Sequence, residues 1–152
     1  MDDLDHRIVN ALQEDFPLAE RPFDVLAVRL GIDAEVLWDR INRLCHDGAI
    51  RRIGASLDSR RLGYSSTLAA IRVDPADVER AAAIVARYRE VTHSYLRDHA
   101  FNIWFTIIAP DANRIQAILQ EIRTDLTLQP GDVLNLPMVR QFKLDARFKT
   151  QP

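Results

Sequence analysis

The hydrophobic period of this chain changes once, near residue 63, and that change limits the possible folds more than any other feature. Before it, apolar residues recur every three or four positions, which is the period of amphipathic helices. After it, strand-like segments alternate with two further helical segments. The 152 residues therefore predict an α+β protein in two parts, which we place at residues 1–60 and 61–152.

Three short helices are predicted in the first part. Residues 4–16 carry the first apolar face, Pro22 suits the first position of a second helix, and Gly31 ends that helix. A third helix is predicted over residues 34–46, with Asp33 as its N-cap. Its predicted buried stripe consists of Val36, Leu37, Ile41, Leu44 and Cys45. Two helices joined by a glycine turn indicate a helix-turn-helix, and the following segment, Ile50 to Ala55, is predicted to be an extended wing.

The second part has the order β-α-β-β-α-β, which predicts a ferredoxin-like domain. An open sheet with helices on one face needs cover on the other, so we expect the chain to associate. The predicted elements are a strand at Thr67–Val73, a helix at Ala76–Tyr88, strands at Val91–Arg97 and Phe101–Ala109, a helix capped by Asp111, and an extended segment Val133–Phe148 with Pro137 at an edge or bulge.

Charge is divided unevenly along the chain. Residues 1–48 have a net charge of −6, with 11 acidic and 5 basic side chains, and residues 49–152 have a net charge of +4. The third helix begins Asp33-Ala34-Glu35 and has only Arg40 and Arg43 as cations. Acidic groups at the start of a recognition helix are repelled by phosphates, so the pattern predicts against DNA binding. Arg40 and Arg43 are instead predicted to pair with Asp39, Asp47 or a neighbouring helix.

Location follows from what the sequence lacks. The acidic start, Met1-Asp2-Asp3-Leu4-Asp5, is unlike a signal peptide, and apolar runs such as Ile103–Ala109 are too short for a bilayer. Cys45 is the single cysteine, so an internal disulfide is excluded, and we expect it to fill space on its helix. A cytoplasmic protein with no membrane partner is predicted.

Four polar groups follow one another at two-residue spacing: His93, Tyr95, Arg97 and His99. On a strand this spacing places them on one face, and the alternate residues are too polar for a good core face. The simpler interpretation is a solvated or interface strand whose histidines lie near one another by chance. With Trp104 nearby, the same set also suits a flat ligand rich in carboxylates, since it offers cations, an aromatic wall and proton-exchanging imidazoles.

Residues 91–106, VTHSYLRDHAFNIWFT, resemble the signature of the siroheme decarboxylases, THNY-x-R-x-H-x-(F/Y)-N-x-W-F. These enzymes are relatives of the Lrp/AsnC regulators. Further similar segments, which extend the resemblance over nearly the whole chain, are Phe16-Pro17-Leu18, Arg21-Pro22, Ile50 to Ala55, Leu62-Gly63-Tyr64 and Arg140 to Leu144. Ser94 departs from the family, which usually has Asn at that position. This departure leaves open which subunit of an assembly carries the working site.

The resemblance implies a carboxy-lyase that removes CO2 from two acetate side chains of siroheme, giving 12,18-didecarboxysiroheme for haem or haem d1 biosynthesis. No added cofactor is expected, because the iron-tetrapyrrole is itself the substrate. A homodimer and a heterodimer with a paralogous subunit are both left open. The alternative function is an Lrp/AsnC-type transcription regulator that senses a small ligand with its second part.

The resemblance and the chemistry together give each site residue a predicted role. His93 is the main general acid, and His99 is a second acid; either one is a possible ligand to the substrate iron, and no other metal site is expected. Tyr95 donates a hydrogen bond, Arg97 holds a carboxylate, and Trp104 walls the ring plane. Asn102 is also predicted to bind substrate. For Arg51 and Arg52, contacts to substrate carboxylates, to phosphates or only to solvent are left open.

Overall fold

The structure, a computed structural model, describes residues 1–151 and divides into two compact units. The head unit comprises Met1–Ala55 together with the C-terminal segment from Lys143 onward, and the sheet unit comprises Ser56–Phe142. The predicted boundary at residues 60 and 61 lies a few residues beyond this division. The prediction did not anticipate that the chain end leaves the sheet unit and belongs to the head unit.

Three helices form the head unit, and a four-stranded sheet with two helices forms the sheet unit. Short 3-10 turns at Pro75–Asp77 and Pro130–Asp132 precede α4 and β4. The elements are α1 (Asp3–Glu14), α2 (Pro22–Leu30), α3 (Ala34–His46), β1 (Ser65–Ile71), α4 (Val78–Ala86), β2 (Val91–Leu96), β3 (Ile103–Ala109), α5 (Ala112–Asp125) and β4 (Val133–Pro137).

The helix limits in the head unit follow the sequence signals closely. α2 begins at Pro22 and ends before Gly31, whose φ of +69° favours glycine. α3 spans the predicted residues, and Asp33 has the extended backbone of an N-cap, although its side chain makes no capping hydrogen bond. One apolar cluster joins the three helices, formed by Ile8, Leu26, Ala27, Leu37, Ile41 and Leu44.

Two details predicted for the head unit are wrong. Val36 and Cys45 are exposed, because the buried stripe of α3 is narrowed to Leu37, Ile41 and Leu44 when only two other helices cover it. The wing is the second error: the predicted segment Ile50 to Ala55 forms no strand, and residues 51–55 are exposed. A strand needs a partner for its backbone, and the described part of the head unit contains helices and irregular segments only.

The C-terminal segment, residues 143–151, lies along α1. The side-chain amide of Gln13 donates to the carbonyl of Phe148 at 3.1 Å and accepts from its N–H at 3.2 Å. Asn10 brackets Thr150 in the same way, at 3.1 and 2.9 Å. Two side-chain amides one helical turn apart therefore make the backbone hydrogen bonds that a neighbouring strand would otherwise make. The prediction of one extended segment over 133–148 is wrong, since β4 ends at Pro137.

The sheet unit has the predicted ferredoxin-like topology. Its antiparallel strands lie in the order β2-β3-β1-β4, so β2 and β4 are the edges. α4 and α5 pack against one face of the sheet. The core between them contains Ala69, Ile71, Ala81, Val85, Ile103, Phe105, Ile107, Ile115, Ile118 and Ile122. The α+β fold class with a helical head and a βαββαβ domain is therefore confirmed.

The sheet face away from α4 and α5, which we call the open face, has no cover within the sheet unit. Cross-strand partners share a face, and the pairs Leu68–Thr106, Ala70–Trp104 and Leu68–Leu136 alternate with the pairs that fill the core. Leu68 and Leu136 are 44% and 43% exposed.

Among residues 1–151 the helices lack the length and apolar character that crossing a membrane requires.

Candidate functional site

The edge strand β2 is exposed along almost its whole length, with only Val91 partly buried. Its partner β3 alternates between buried and half-buried residues, which is the ordinary pattern of a sheet with one core face. The sequence expectation that β2 lacks a good apolar face is confirmed. A strand this exposed adds little to the core, so its polar residues are available for binding.

The register places the predicted site residues of β2 on the open face. His93 pairs with Thr106 and Tyr95 pairs with Trp104, whereas Ser94 pairs with the buried Phe105. Cross-strand partners share a face, so His93 and Tyr95 lie on the open face and Ser94 lies on the helix side. The one departure from the family motif is therefore on the face opposite the histidine and the tyrosine.

His93, Tyr95 and Arg97 form a row of adjacent side chains. The rings of His93 and Tyr95 are nearly parallel, at 18°, with centroids 6.4 Å apart. The Arg97 guanidinium lies 5.9 Å from the centroid of the Tyr95 ring. A cation over an aromatic face is attracted to it and keeps its N–H groups available, so Arg97 can still bind a carboxylate in two-point fashion.

The loop between β2 and β3 is fixed by Asn102. Its amide donates to the carbonyl of Val73 at 2.9 Å and accepts from the N–H of Val73 at 3.1 Å. Its backbone carbonyl accepts from the N–H of Arg97 at 2.8 Å. Because the backbone already occupies both side-chain polar atoms, the structure gives Asn102 a positioning role. Direct contact with substrate stays a prediction.

His99 sits within this loop, against two aromatic rings. The backbone N–H of Phe101 donates to Nδ1 of His99 at 3.1 Å. The ring centroids of His99 and Trp104 are 6.4 Å apart. The Trp104 indole N–H donates to the Phe101 carbonyl at 2.7 Å. Since Nδ1 accepts a hydrogen bond, the neutral His99 ring carries its proton on Nε2. His99 therefore presents an N–H donor.

The structure brings together five of the predicted site residues, His93, Tyr95, Arg97, His99 and Trp104. Sequence reasoning missed two residues that contact this set or the loop beside it. Thr92 contacts the His93 ring, and its place directly before the histidine in the motif was the available signal. The other is Arg72, whose guanidinium lies 5.4 Å from the centroid of the Phe101 ring; nothing in the sequence pattern indicates this contact.

Arg51 and Arg52 belong to the head unit, where both are exposed and lie outside any helix or strand. A depression of about 360 Å³ in the sheet unit is lined by Arg72, Val73, Asp74, Asp77, Arg80, Leu126, Leu128 and Asp132. Arg72 there is paired with Asp132 at 2.6 Å. Three aspartates against two arginines make this depression a poor site for a ligand rich in carboxylates, and none of the predicted residues line it.

The cations of α3 are engaged inside the head unit. Asp5, only 1% exposed, accepts from Arg43 at 2.6 Å and from Arg40 at 2.9 Å, and Arg40 also pairs with Asp2. Burial alone would raise the pKa of Asp5, but the backbone N–H of Asp2 and the Arg40 guanidinium outweigh it and lower that pKa. The hydrogen bond from Arg40 lowers the pKa of Asp2 to about 2. The predicted pairing with a neighbouring helix is confirmed.

A helix-turn-helix head and a ferredoxin-like sheet unit with a polar edge strand define an AsnC-like protein, and most of its predicted site residues lie in the sheet unit. Family models agree: residues 5–51 match a siroheme decarboxylase NirDL-like helix-turn-helix domain, and residues 61–143 match an AsnC-like ligand-binding domain.

Individual relatives match over nearly the whole chain. The siroheme decarboxylase alpha subunit of Desulfovibrio desulfuricans is 41% identical over 98% of this chain and 84% of its own length. For the siroheme decarboxylase NirD subunit of Pseudomonas aeruginosa the identity is 40%, over 97% and 96%. The crystal structure of the siroheme decarboxylase NirDL in co-complex with an iron-uroporphyrin III analogue superimposes with a TM-score of 0.73 at 33% identity. The superposition includes 96% of this chain and 48% of the NirDL chain, so this chain spans about half the length of NirDL.

Identity of about 40% over most of the length of two subunits shows the family. The chain belongs to the siroheme decarboxylase family.

Proposed function

We propose that this chain is a subunit of a siroheme decarboxylase, a carboxy-lyase that removes CO2 from two acetate side chains of siroheme to give 12,18-didecarboxysiroheme. The observation that carries the proposal is the row of His93, Tyr95 and Arg97 on the open face, adjoining His99 and Trp104. Family membership supports it, and the solved complex of a relative with an iron-uroporphyrin III analogue is consistent with a tetrapyrrole ligand.

The chemistry divides the roles among these side chains. Arg97 holds a substrate carboxylate, and Trp104 and Tyr95 offer aromatic surface to the macrocycle. When CO2 leaves, the carbon–carbon bond to the carboxylate breaks and its electron pair passes into the conjugated ring. A proton then forms the new methyl C–H bond, so each decarboxylation consumes one proton and needs no oxidant or reductant. A positioned general acid supplies that proton.

The hydrogen bonds of the two histidines favour His93 as this acid. Nδ1 of His93 lies 3.0 Å from the Thr92 hydroxyl. We assign the hydroxyl as the acceptor from Nδ1–H, so that the imidazolium form of His93 keeps its Nε2–H free to be transferred. Nδ1 of His99 instead accepts a hydrogen bond from the backbone N–H of Phe101. A proton on that nitrogen would point at the Phe101 N–H and break the bond, so the doubly protonated form of His99 is disfavoured. Because neutral His99 keeps its proton on Nε2, we assign it as a hydrogen-bond donor to a substrate carboxylate. This arrangement argues against the iron-ligand role for His99.

The partner is proposed to be a similar chain. Relatives of this size are named subunits, and NirDL is long enough for two chains of this length. The open face, with Leu68 and Leu136 exposed, offers a surface for such a partner. We further propose that the enzyme works in the cytoplasm and adds no cofactor of its own.

The experiment is anaerobic incubation of the purified chain, alone and with a paralogous chain, with siroheme. Mass analysis of the tetrapyrrole should show the successive loss of two CO2 units, and trapped CO2 should account for both. An unchanged tetrapyrrole mass with every paralogous partner from the same organism would overturn the proposal.

A further inference from the structure

The pairing of β2 with β3 shifts by one residue at Thr92. Val91 pairs with Ile107, whereas His93 pairs with Thr106, so two residues advance on β2 for one on β3. From His93 to Leu96 the pairing is regular. Thr92 is thus the extra residue of a β-bulge, a feature that recurs beside active sites because it redirects a side chain.

The bulge decides which face each neighbour occupies. In a regular strand Val91, His93 and Tyr95 would all share one face. Here Val91 pairs with the buried Ile107 and packs against the core, while His93 and Tyr95 lie on the open face. The extra residue lets the strand anchor an apolar side chain in the core and still present the histidine to the opposite side.

Thr92 also contacts the ring that it redirects. Its hydroxyl oxygen lies 3.0 Å from Nδ1 of His93, and the Tyr95 ring is stacked beyond the imidazole. The ring is therefore held by a hydrogen bond and by an aromatic neighbour. A partner on Nδ1 sets both the rotation of the imidazole and the nitrogen that faces the ligand.

We propose that Thr92 is the positioning residue of the site, which places His93 on the open face through its bulge and directs Nε2 of His93 to the substrate through its hydroxyl. This inference rests on the proposed decarboxylase function for its kinetic consequence. Its structural content, the state of the His93 ring, can be measured without activity.

Two substitutions separate the hydroxyl from the shape of the side chain. Thr92→Val keeps the β-branched shape and removes the hydroxyl, so we expect kcat to fall about tenfold with KM within about twofold of wild type. Thr92→Ser keeps the hydroxyl and should retain kcat within about threefold. If Thr92 only served the strand conformation, Val would be the milder change, and that order would overturn the proposal.

Ser94→Ala is the matched control. It removes a hydroxyl from the same strand on the helix side, so both kinetic constants should stay within about twofold of wild type. A loss equal to that of Thr92→Val would mean that any polar change on β2 has this effect, which would contradict a specific role for Thr92.

The ring itself gives a readout that needs no turnover. Nitrogen-15 NMR of histidine-labelled protein should show protonated Nδ1 in neutral wild-type His93 and a change in the Nδ1 to Nε2 proton ratio in Thr92→Val, with His99 unchanged. An unaltered His93 spectrum would overturn the inference even if the protein is an active decarboxylase. An altered spectrum in a chain that never releases CO2 would keep the Thr92–His93 contact and overturn only the proposed reaction.

Discussion

The helix α3 of the head unit and the strand β2 of the sheet unit hold their neighbouring arginines in opposite ways. In the head unit, Arg40 and Arg43 of the helix that would enter DNA converge on the buried carboxylate of Asp5. In the sheet unit, the Arg97 guanidinium lies over the ring of the exposed Tyr95. No carboxylate of the described residues pairs with it. The two arginines of α3 are thus neutralised within the head unit, while the edge strand and the residue that follows it keep their charged and polar groups available for a ligand.

This contrast explains how a regulator-like frame can serve an enzyme. A DNA reader needs free cations on its recognition helix, because contacts to phosphates provide most of its affinity. A carboxylate-binding site needs free cations and proton donors on a rigid surface. The present chain has the second arrangement and lacks the first within residues 1–151.

The largest effect should come from the histidines of the sheet unit. We expect His93→Ala to reduce the rate of CO2 release about 10³-fold and His99→Ala about 10²-fold, since a general acid contributes more than a single hydrogen-bond donor. Stopped assays that resolve the first and second CO2 losses would measure both. His46→Ala, at an exposed histidine of α3, should change neither rate. Full activity of His93→Ala would contradict the division between the units.

The next largest effect should be on the stability of the head unit. Asp5→Asn leaves Arg40 and Arg43 without their shared carboxylate, and we expect the free energy of unfolding to fall by about 2 kcal/mol, less than for a fully buried pair because both arginines are partly exposed. Denaturant unfolding measures the difference. Asp3→Asn, an exposed change in the same turn, is the control and should cost less than about 0.5 kcal/mol.

The same variant gives a pH test with a defined sign. The pKa values of Asp5 and Asp2 are lowered in the folded chain, that of Asp2 from 3.8 to about 2. Both carboxylates therefore add stability above their ordinary pKa and lose that contribution as the pH falls through the lowered value. The stability gap between wild type and Asp5→Asn should be full at neutral pH and should narrow as the pH falls below about 4. A gap that widens in acid would mean that the ion pairs do not stabilise the head.

The smallest effect should be on DNA affinity. Wild type should show only weak, salt-dependent binding. Freeing the arginines with Asp5→Asn should raise affinity by less than tenfold, because Asp39 lines the same surface depression as Arg40 and Arg43 and still repels phosphates. Fluorescence anisotropy across a salt series measures this. Specific binding by wild type at physiological salt, abolished by charge reversal at Arg40 and Arg43, would contradict the comparison.

Local patterns predicted much of the fold because they act over a few residues. Pro22 and Gly31 set the limits of α2, and the apolar period predicted the order of strands and helices along the second part of the chain. The row of His93, Tyr95 and Arg97 followed from two-residue spacing. The predicted wing at Ile50 to Ala55 and the predicted burial of Cys45 failed for a shared reason. Whether a segment forms a strand, and whether a side chain is buried, depends on which segments from elsewhere in the chain lie beside it.

By itself, then, the sequence determined the type and order of the five helices and of the four strands of the sheet, and the identity of the polar row along β2 and just after it, since periodicity and spacing are properties of neighbouring residues. Only the tertiary structure decided how distant groups meet. It brought Asp5 to Arg40 and Arg43 across more than thirty residues and returned the chain end to Asn10 and Gln13. It also placed the bulge at Thr92, because the register of a strand depends on its partner and on which side chains the core accepts.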